Sequence, residues 1–230
     1  MPTAIVTGAN SGIGHEFAKL LIQEGYDVHA VDVNYGPELR SLSCKTSQLD
    51  VSSPNSIDSF AKSFGDRPLD LLLNIAGVMA THESDALETV DQATLQRVFA
   101  VNTFGPLLLT QALLPNLLKS QAPKVGVMSS RVGSIGDNST GGMYAYRSSK
   151  AAVNAVCKSM SVDLREKGIV VVILHPGFVK TGLDPSTHGL KEAVEADEAA
   201  AKLWQVLREK KKKLEDTGRF WHREGTELPW

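Results

Sequence analysis

The sequence predicts an α/β fold: one doubly wound, mostly parallel sheet with helices on both faces. Three observations predict it. Short apolar runs alternate with longer helical patterns from end to end, which is the periodicity of repeated βα units joined by right-handed crossovers. Most of the short runs are apolar throughout and do not alternate, as strands covered on both faces must be. A glycine-rich turn follows the first run and opens a helix.

The elements follow in order along the 230 residues. Residues 4–7, 27–32, 46–49, 70–74, 125–129 and 170–175 read as strands, with a weaker one at 219–222. Helical patterns lie between them. Residues 12–24 stop at Gly25, 53–64 at Gly65 and 146–167 at Gly168, each with the glycine that closes a helix C-terminus. Residues 91–118 form one long pattern in which Pro106 and Pro115 mark kinks or ends. Residues 196–213 are the last helix, and Lys210 to Lys213 are its solvated, cationic end. No repeat, low-complexity tract or linker divides the chain, so residues 1–230 read as a single dinucleotide-binding and catalytic domain.

Composition removes several function classes. A formal net charge of -2 gives no electrostatic case for nucleic acid. Cys44 and Cys157 offer neither a disulfide framework nor a thiolate cluster, and the six scattered histidines form no paired metal motif, so no metal is expected. No apolar stretch reaches the ~18 residues of a membrane span, and no charged leader precedes the first strand. The expectation is a cytoplasmic protein without a membrane partner.

The turn after the first strand reads Thr7-Gly8-Ala9-Asn10-Ser11-Gly12-Ile13-Gly14. Glycine there permits a tight turn and lets backbone N–H groups and a helix N-terminus approach a pyrophosphate. Asp32 ends the second strand 18 residues past Gly14, where a carboxylate meets the adenosine ribose hydroxyls. A strand, a glycine turn, a helix and then an acid form a Rossmann-like dinucleotide site. Because Asp32 would repel a 2′-phosphate, NAD(H) is expected over NADP(H). Arg40 is the first cation after Asp32 that could reverse this choice.

The spacing Thr-Gly-x-x-x-Gly-x-Gly resembles that of the short-chain dehydrogenase/reductase family. Asn74-Ile75-Ala76-Gly77 is similar to the family's Asn-Asn-Ala-Gly stretch, with Ile in place of the second Asn, and Asp50-Val51 to its adenine-contacting pair. Pro176-Gly177, with Val179 and Thr181 after it, resembles the stretch that meets the nicotinamide and the phosphates. Within the family, Tyr144-Ala145-Tyr146-Arg147-Ser148-Ser149-Lys150 and the closing Gly-Thr-Glu-Leu-Pro-Trp resemble the branch of C-factor-like and sniffer-type carbonyl reductases.

Tyr146 and Lys150 stand four apart on a predicted helix, hence on one face. A free phenol, with pKa near ~10, exchanges protons poorly at neutral pH, and a close ammonium is expected to lower it. Tyr144 is out of helical phase with Lys150 and is assigned to the substrate pocket, as the next candidate for proton donor. The resemblance implies that Ser130 holds the substrate oxygen, with Ser134 its rival because the 16-residue gap to Tyr146 is long. It also implies that Asn102 holds a water in a proton relay to Lys150. The substrate is then a small carbonyl or alcohol, modest and mainly apolar, beneath a lid at residues 182–195.

Two other readings stand beside the enzyme, a non-catalytic cofactor sensor and a signalling protein on the same scaffold. The serine, tyrosine and lysine that a sensor would lose are all present. Family likeness further implies a homodimer or homotetramer, with Leu107, Leu114 and Val156 on the outer helix faces.

Overall fold

A computed structural model describes residues 1–209 and 214–230. Seven parallel strands form its sheet: β1 (Thr3–Thr7), β2 (Asp27–Asp32), β3 (Lys45–Gln48), β4 (Leu71–Asn74), β5 (Lys124–Met128), β6 (Val170–His175) and β7 (Arg219–His222). Their spatial order is β3-β2-β1-β4-β5-β6-β7. The order reverses between β1 and β4, and a crevice opens at the carboxyl ends of the strands at such a switch point.

Alternation along each buried strand divides the core into two layers. Ala4 and Val6 of β1 face α1 (Gly12–Gln23), α2 (Pro37–Ser41) and α8 (Ala196–Glu209), meeting Phe17, Leu39 and Leu203. Ile5 faces α3 (Pro54–Phe64), α5 (Gly105–Ala112) and α7 (Tyr144–Asp163), among Phe60, Leu109 and Val153. Both faces of the sheet are therefore covered, as the uninterrupted apolar runs required.

The fold class stands as expected, and every predicted strand is present to within a residue or so. Gly25, Gly65 and Gly168 take positive φ beyond the helices they were assigned to stop. Three elements differ. The long pattern at 91–118 is a chain of pieces: α4 (Gln92–Phe99), a π-helical turn (Ala100–Phe104), α5, and α6 (Leu114–Leu117). The proline positions explain the later joins, since Pro106 and Pro115 sit in the first turns of α5 and α6. The π-turn precedes both and carries Asn102. Helix α7 begins two residues earlier than its pattern and ends at Asp163, four residues before its expected end, so that a turn and not the helix runs into Gly168; α2 is too short to leave a period in the sequence. The Lys210 to Lys213 run lies outside the described residues.

Candidate active site

A cleft of about 1270 Å³ runs along the carboxyl edge of the sheet. Its nucleotide end is made of backbone. Gly8 and Gly12 hold φ of 71° and 53°, which only glycine adopts at low cost. A Cβ on Gly14 would collide with the carbonyls of Gly8 and Thr7, and one on Gly8 would lie 3.0 Å from the Ala76 backbone. Ser11, at the cap of α1, makes no side-chain capping bond, which leaves the helix N-terminus facing the cleft. Ser11, Ile13, Asp32, Asp50, Val51, Ala76, Gly77, Pro176, Gly177, Val179 and Thr181 also line it. A cradle from which side chains are excluded, ending at a helix N-terminus and an acid, fits a dinucleotide.

Asp32 is oriented by its own loop. Its Oδ2 accepts the Asn10 N–H at 3.0 Å and its Oδ1 the Asn34 N–H at 2.9 Å. Arg40 is turned onto the Gly36 carbonyl at 3.3 Å and is not among the cleft's walls.

Three of the assigned residues stand behind the walls. The Asn10 side chain accepts the Leu39 N–H at 3.0 Å and so braces α2. Asn74 is buried, with its amide 3.5 Å from the Thr110 hydroxyl. Asn102, also buried, accepts the Val78 N–H at 2.9 Å and donates to the Val78 carbonyl at 2.9 Å and the Ser149 hydroxyl at 3.0 Å. It ties the loop after Gly77 to α7.

The reactive end is carried by side chains. Tyr146 lies in the cleft wall with only 8% of its surface exposed, and Ser130 lines the same cleft. Burial pushes the phenol up to about 12, Ser130 pulls against that, and Asp184 of the lid adds to the rise. The buried Lys150 Nζ lies 5.6 Å from the Tyr146 ring centre and donates to the Met128 carbonyl at 2.9 Å. Burial lowers Lys150 to about 8. The expected lowering of the phenol is therefore corrected: burial outweighs the groups that favour the phenolate, and the phenol stands above its ordinary value.

The structure separates the two serines. The Ser129 hydroxyl is buried and donates to Asn154 Oδ1 at 2.6 Å, a packing role, whereas Ser130 meets the phenol. Ser134 is buried and accepts the Asp137 N–H at 3.2 Å, outside the cleft walls. Tyr144 was assigned to the pocket and is not there. It is 39% exposed on the outside of the first turn of α7, the consequence of its being out of phase with Lys150.

Several lining residues gave no sequence signal. Asp184 of the lid stands 4.0 Å from His82 across the mouth. Arg131, Arg147 and Arg223 line the substrate end. Arg131 pairs with Asp137 at 2.5 Å. Arg147 donates to the Val132 and Gly141 carbonyls at 2.9 and 3.0 Å, and Arg223 to the Pro176 and Phe178 carbonyls at 2.6 and 3.0 Å. They meet only when the loops fold.

Fold and site together define a nicotinamide-dependent oxidoreductase on a dinucleotide-binding scaffold. The comparisons with known proteins narrow this class. The short chain dehydrogenase pattern matches residues 2–190. The 1-hydroxy-2-glutathionyl-2-methyl-3-butene dehydrogenase of Rhodococcus sp. (strain AD45) is 37% identical over 100% of both chains. Among solved structures, the carbonyl reductase from chicken fatty liver, described with NADPH bound, aligns with a TM-score of 0.88 at 31% identity, covering 100% of this chain and 99% of its own. The carbonyl reductase Sniffer of D. melanogaster aligns at 0.89 and 29% identity over 100% of both. The chain belongs to the short-chain dehydrogenase/reductase family.

Proposed function

We propose that the protein is a carbonyl reductase in which Tyr146 is the proton donor, and that the whole chain works as one cofactor-binding and catalytic unit. One observation carries the reading: a buried phenol in the cleft wall, with Ser130 also lining the cleft and Lys150 one helical turn behind it. A nicotinamide held in this cleft would supply or accept the hydride. Ser130 orients the substrate oxygen and steadies the charge that develops on it. Tyr146 gives the proton to that oxygen, and in the reverse direction receives it. Lys150 holds the cofactor ribose, and Asn102 fixes the loop and helix between which the proton returns to solvent. Gly8 to Gly14, Asp50, Val51, Asn74, Ala76, Gly77 and Pro176 to Thr181 form or brace the cofactor cradle.

The substrate is a neutral, mainly apolar carbonyl or alcohol. Phe178, Leu183 and Leu190 present apolar surface at the lid, while Arg131, Arg147 and Arg223 are already committed to Asp137 or to backbone carbonyls. NAD(H) is favoured over NADP(H) because Asp32 faces the cleft and Arg40 does not. The NADPH bound in the chicken neighbour leans the other way, so both cofactors belong in the assay. No described helix is long and apolar enough to cross a membrane, and a cytoplasmic homodimer or homotetramer joined through α5 and α7 fits the family likeness. The test follows the near-ultraviolet absorbance of NADH and NADPH with a panel of quinones, aldehydes and ketones. Oxidation of cofactor by an apolar carbonyl supports the reading, and inertness towards the whole panel in both directions sinks it.

A further inference from the structure

Helix α7 carries both Tyr146 and Lys150, and its own sequence does not define where it starts. Gly141, Gly142 and Met143 enter it with φ of 63°, 67° and 51° in succession. Met143, at the cap, has no side chain that can accept a hydrogen bond from the first turn. A non-glycine residue in this left-handed region is uncommon and is held there by its surroundings.

The missing cap comes from Asp85, about 60 residues earlier in the chain. Its Oδ1 accepts the Ala145 N–H at 2.6 Å, its Oδ2 the Tyr146 N–H at 3.1 Å, and its main-chain carbonyl the Tyr144 N–H at 3.2 Å. One residue thus takes three successive amides of the first turn. Asp85 is 1% exposed, and no ion pair forms on it among the described residues. A buried carboxylate is costly unless it is fully hydrogen-bonded, and the amides and dipole of a helix N-terminus supply that compensation. The segment that holds Asp85 begins at Val78, which Asn102 joins to Ser149 one turn further along α7. The stretch after the cofactor-binding Gly77 therefore grips the catalytic helix at two successive turns.

We propose that Asp85 is a positioning residue: by capping α7 from outside, it sets the place of the Tyr146 phenol against Ser130 and the bound cofactor. The proposal rests on the carbonyl-reductase reading above. An error of ~1 Å in such a placement can cost on the order of a hundredfold in rate. Asp85→Asn keeps the shape and one acceptor but turns an NH2 toward the second amide, whereas Asp85→Ala removes both acceptors.

The experiment measures kcat with 9,10-phenanthrenequinone and NADPH or NADH, normalised to the number of cofactor-binding sites found by fluorescence titration. It is repeated with the 4-deuterated cofactor to read the isotope effect on hydride transfer. Expected is a fall in normalised kcat of roughly tenfold for Asp85→Asn and a hundredfold for Asp85→Ala, a larger isotope effect, and cofactor affinity within about threefold of wild type. If Asp85→Ala does not fold, Asp85→Asn carries the test. Normalised kcat unchanged in Asp85→Asn, or a loss matched by the fall in binding sites at an unchanged isotope effect, overturns the proposal. A wild type inert towards the quinone and the rest of the panel sinks the carbonyl-reductase reading instead.

Discussion

The two ends of the cleft are held in different ways. At the nucleotide end the shape is backbone: Gly8 and Gly14 pack so closely that a single added Cβ meets main chain, and one on Gly12 meets the Thr181 side chain. At the reactive end it is side chains on a helix and two loops, with Tyr146 and Ser130 in the cleft wall, Lys150 on the Met128 carbonyl, and Arg147 bracing the Val132 and Gly141 carbonyls. A backbone cradle admits one kind of ligand and tolerates little change. A side-chain pocket can exchange its lid and keep its proton chemistry. The scaffold can thus bind one cofactor and serve many substrates.

The largest expected effect breaks the reactive end alone. Tyr146→Phe keeps the buried ring and removes only the hydroxyl. Turnover should fall ~10²–10⁴-fold, the usual worth of general acid–base catalysis, while cofactor fluorescence titrates as in wild type. Turnover within a few-fold of wild type would pass the role to another group. Tyr144 is poorly placed to take it, since it stands outside the cleft.

The next effect concerns choice at the nucleotide end. Asp32→Ala combined with Val33→Arg replaces an acid that would repel a 2′-phosphate with a cation that would pair with it. A differential of ~3 kcal/mol corresponds to roughly a hundredfold in the kcat/KM ratio for NADPH over NADH. The wild-type ratio decides first: a preference for NADPH there would show that Asp32 does not govern the choice.

Gly14→Ala tests the cradle itself. Its Cβ would meet the Gly8 and Thr7 carbonyls, and overpacking of ~1–3 kcal/mol becomes roughly five- to 150-fold in cofactor affinity. A Gly14→Ala protein that binds as wild type does would mean that the loop yields more readily than its geometry implies.

The same contrast explains what the sequence revealed. The nucleotide end is local: a glycine turn, the helix behind it and Asp32 lie within one βαβ unit, so their spacing is their geometry. Tyr146 and Lys150 are local too, one helical turn apart. The π-turn around Asn102 was hidden because an apolar helix pattern continues through it, and the prolines after it drew the breaks elsewhere. Asp85, Asp184 and His82 gave no signal, since each acts on a partner that only tertiary folding brings near. The missed rise of the phenol has the same origin: i,i+4 spacing puts Lys150 beside Tyr146 but does not reveal how completely tertiary packing buries the hydroxyl.

The smallest effect lies where the two ends meet, at Lys150. Burial lowers its ammonium to about 8 from an ordinary value of 10.5. The cation therefore predominates below pH 8 and the neutral amine above it. A hydrogen bond from a charged donor to the cofactor ribose is worth ~1.5 kcal/mol or more, about tenfold in affinity. Wild-type affinity for reduced cofactor should thus weaken by up to about tenfold as pH rises through 8, and Lys150→Met should be uniformly weak with no such step. Stability moves in the opposite direction. Between pH 8 and 10.5 the unfolded chain binds more protons at this lysine than the folded one, so its contribution to stability rises with pH across that window and is lost as pH falls through 8. Lys150→Met removes the buried cation, so its melting temperature should exceed the wild-type value most at neutral pH, with the gap narrowing towards pH 10.5. A constant gap, together with a pH-independent wild-type affinity, would place the titration of Lys150 outside this range and reduce the lysine to an anchor of fixed charge.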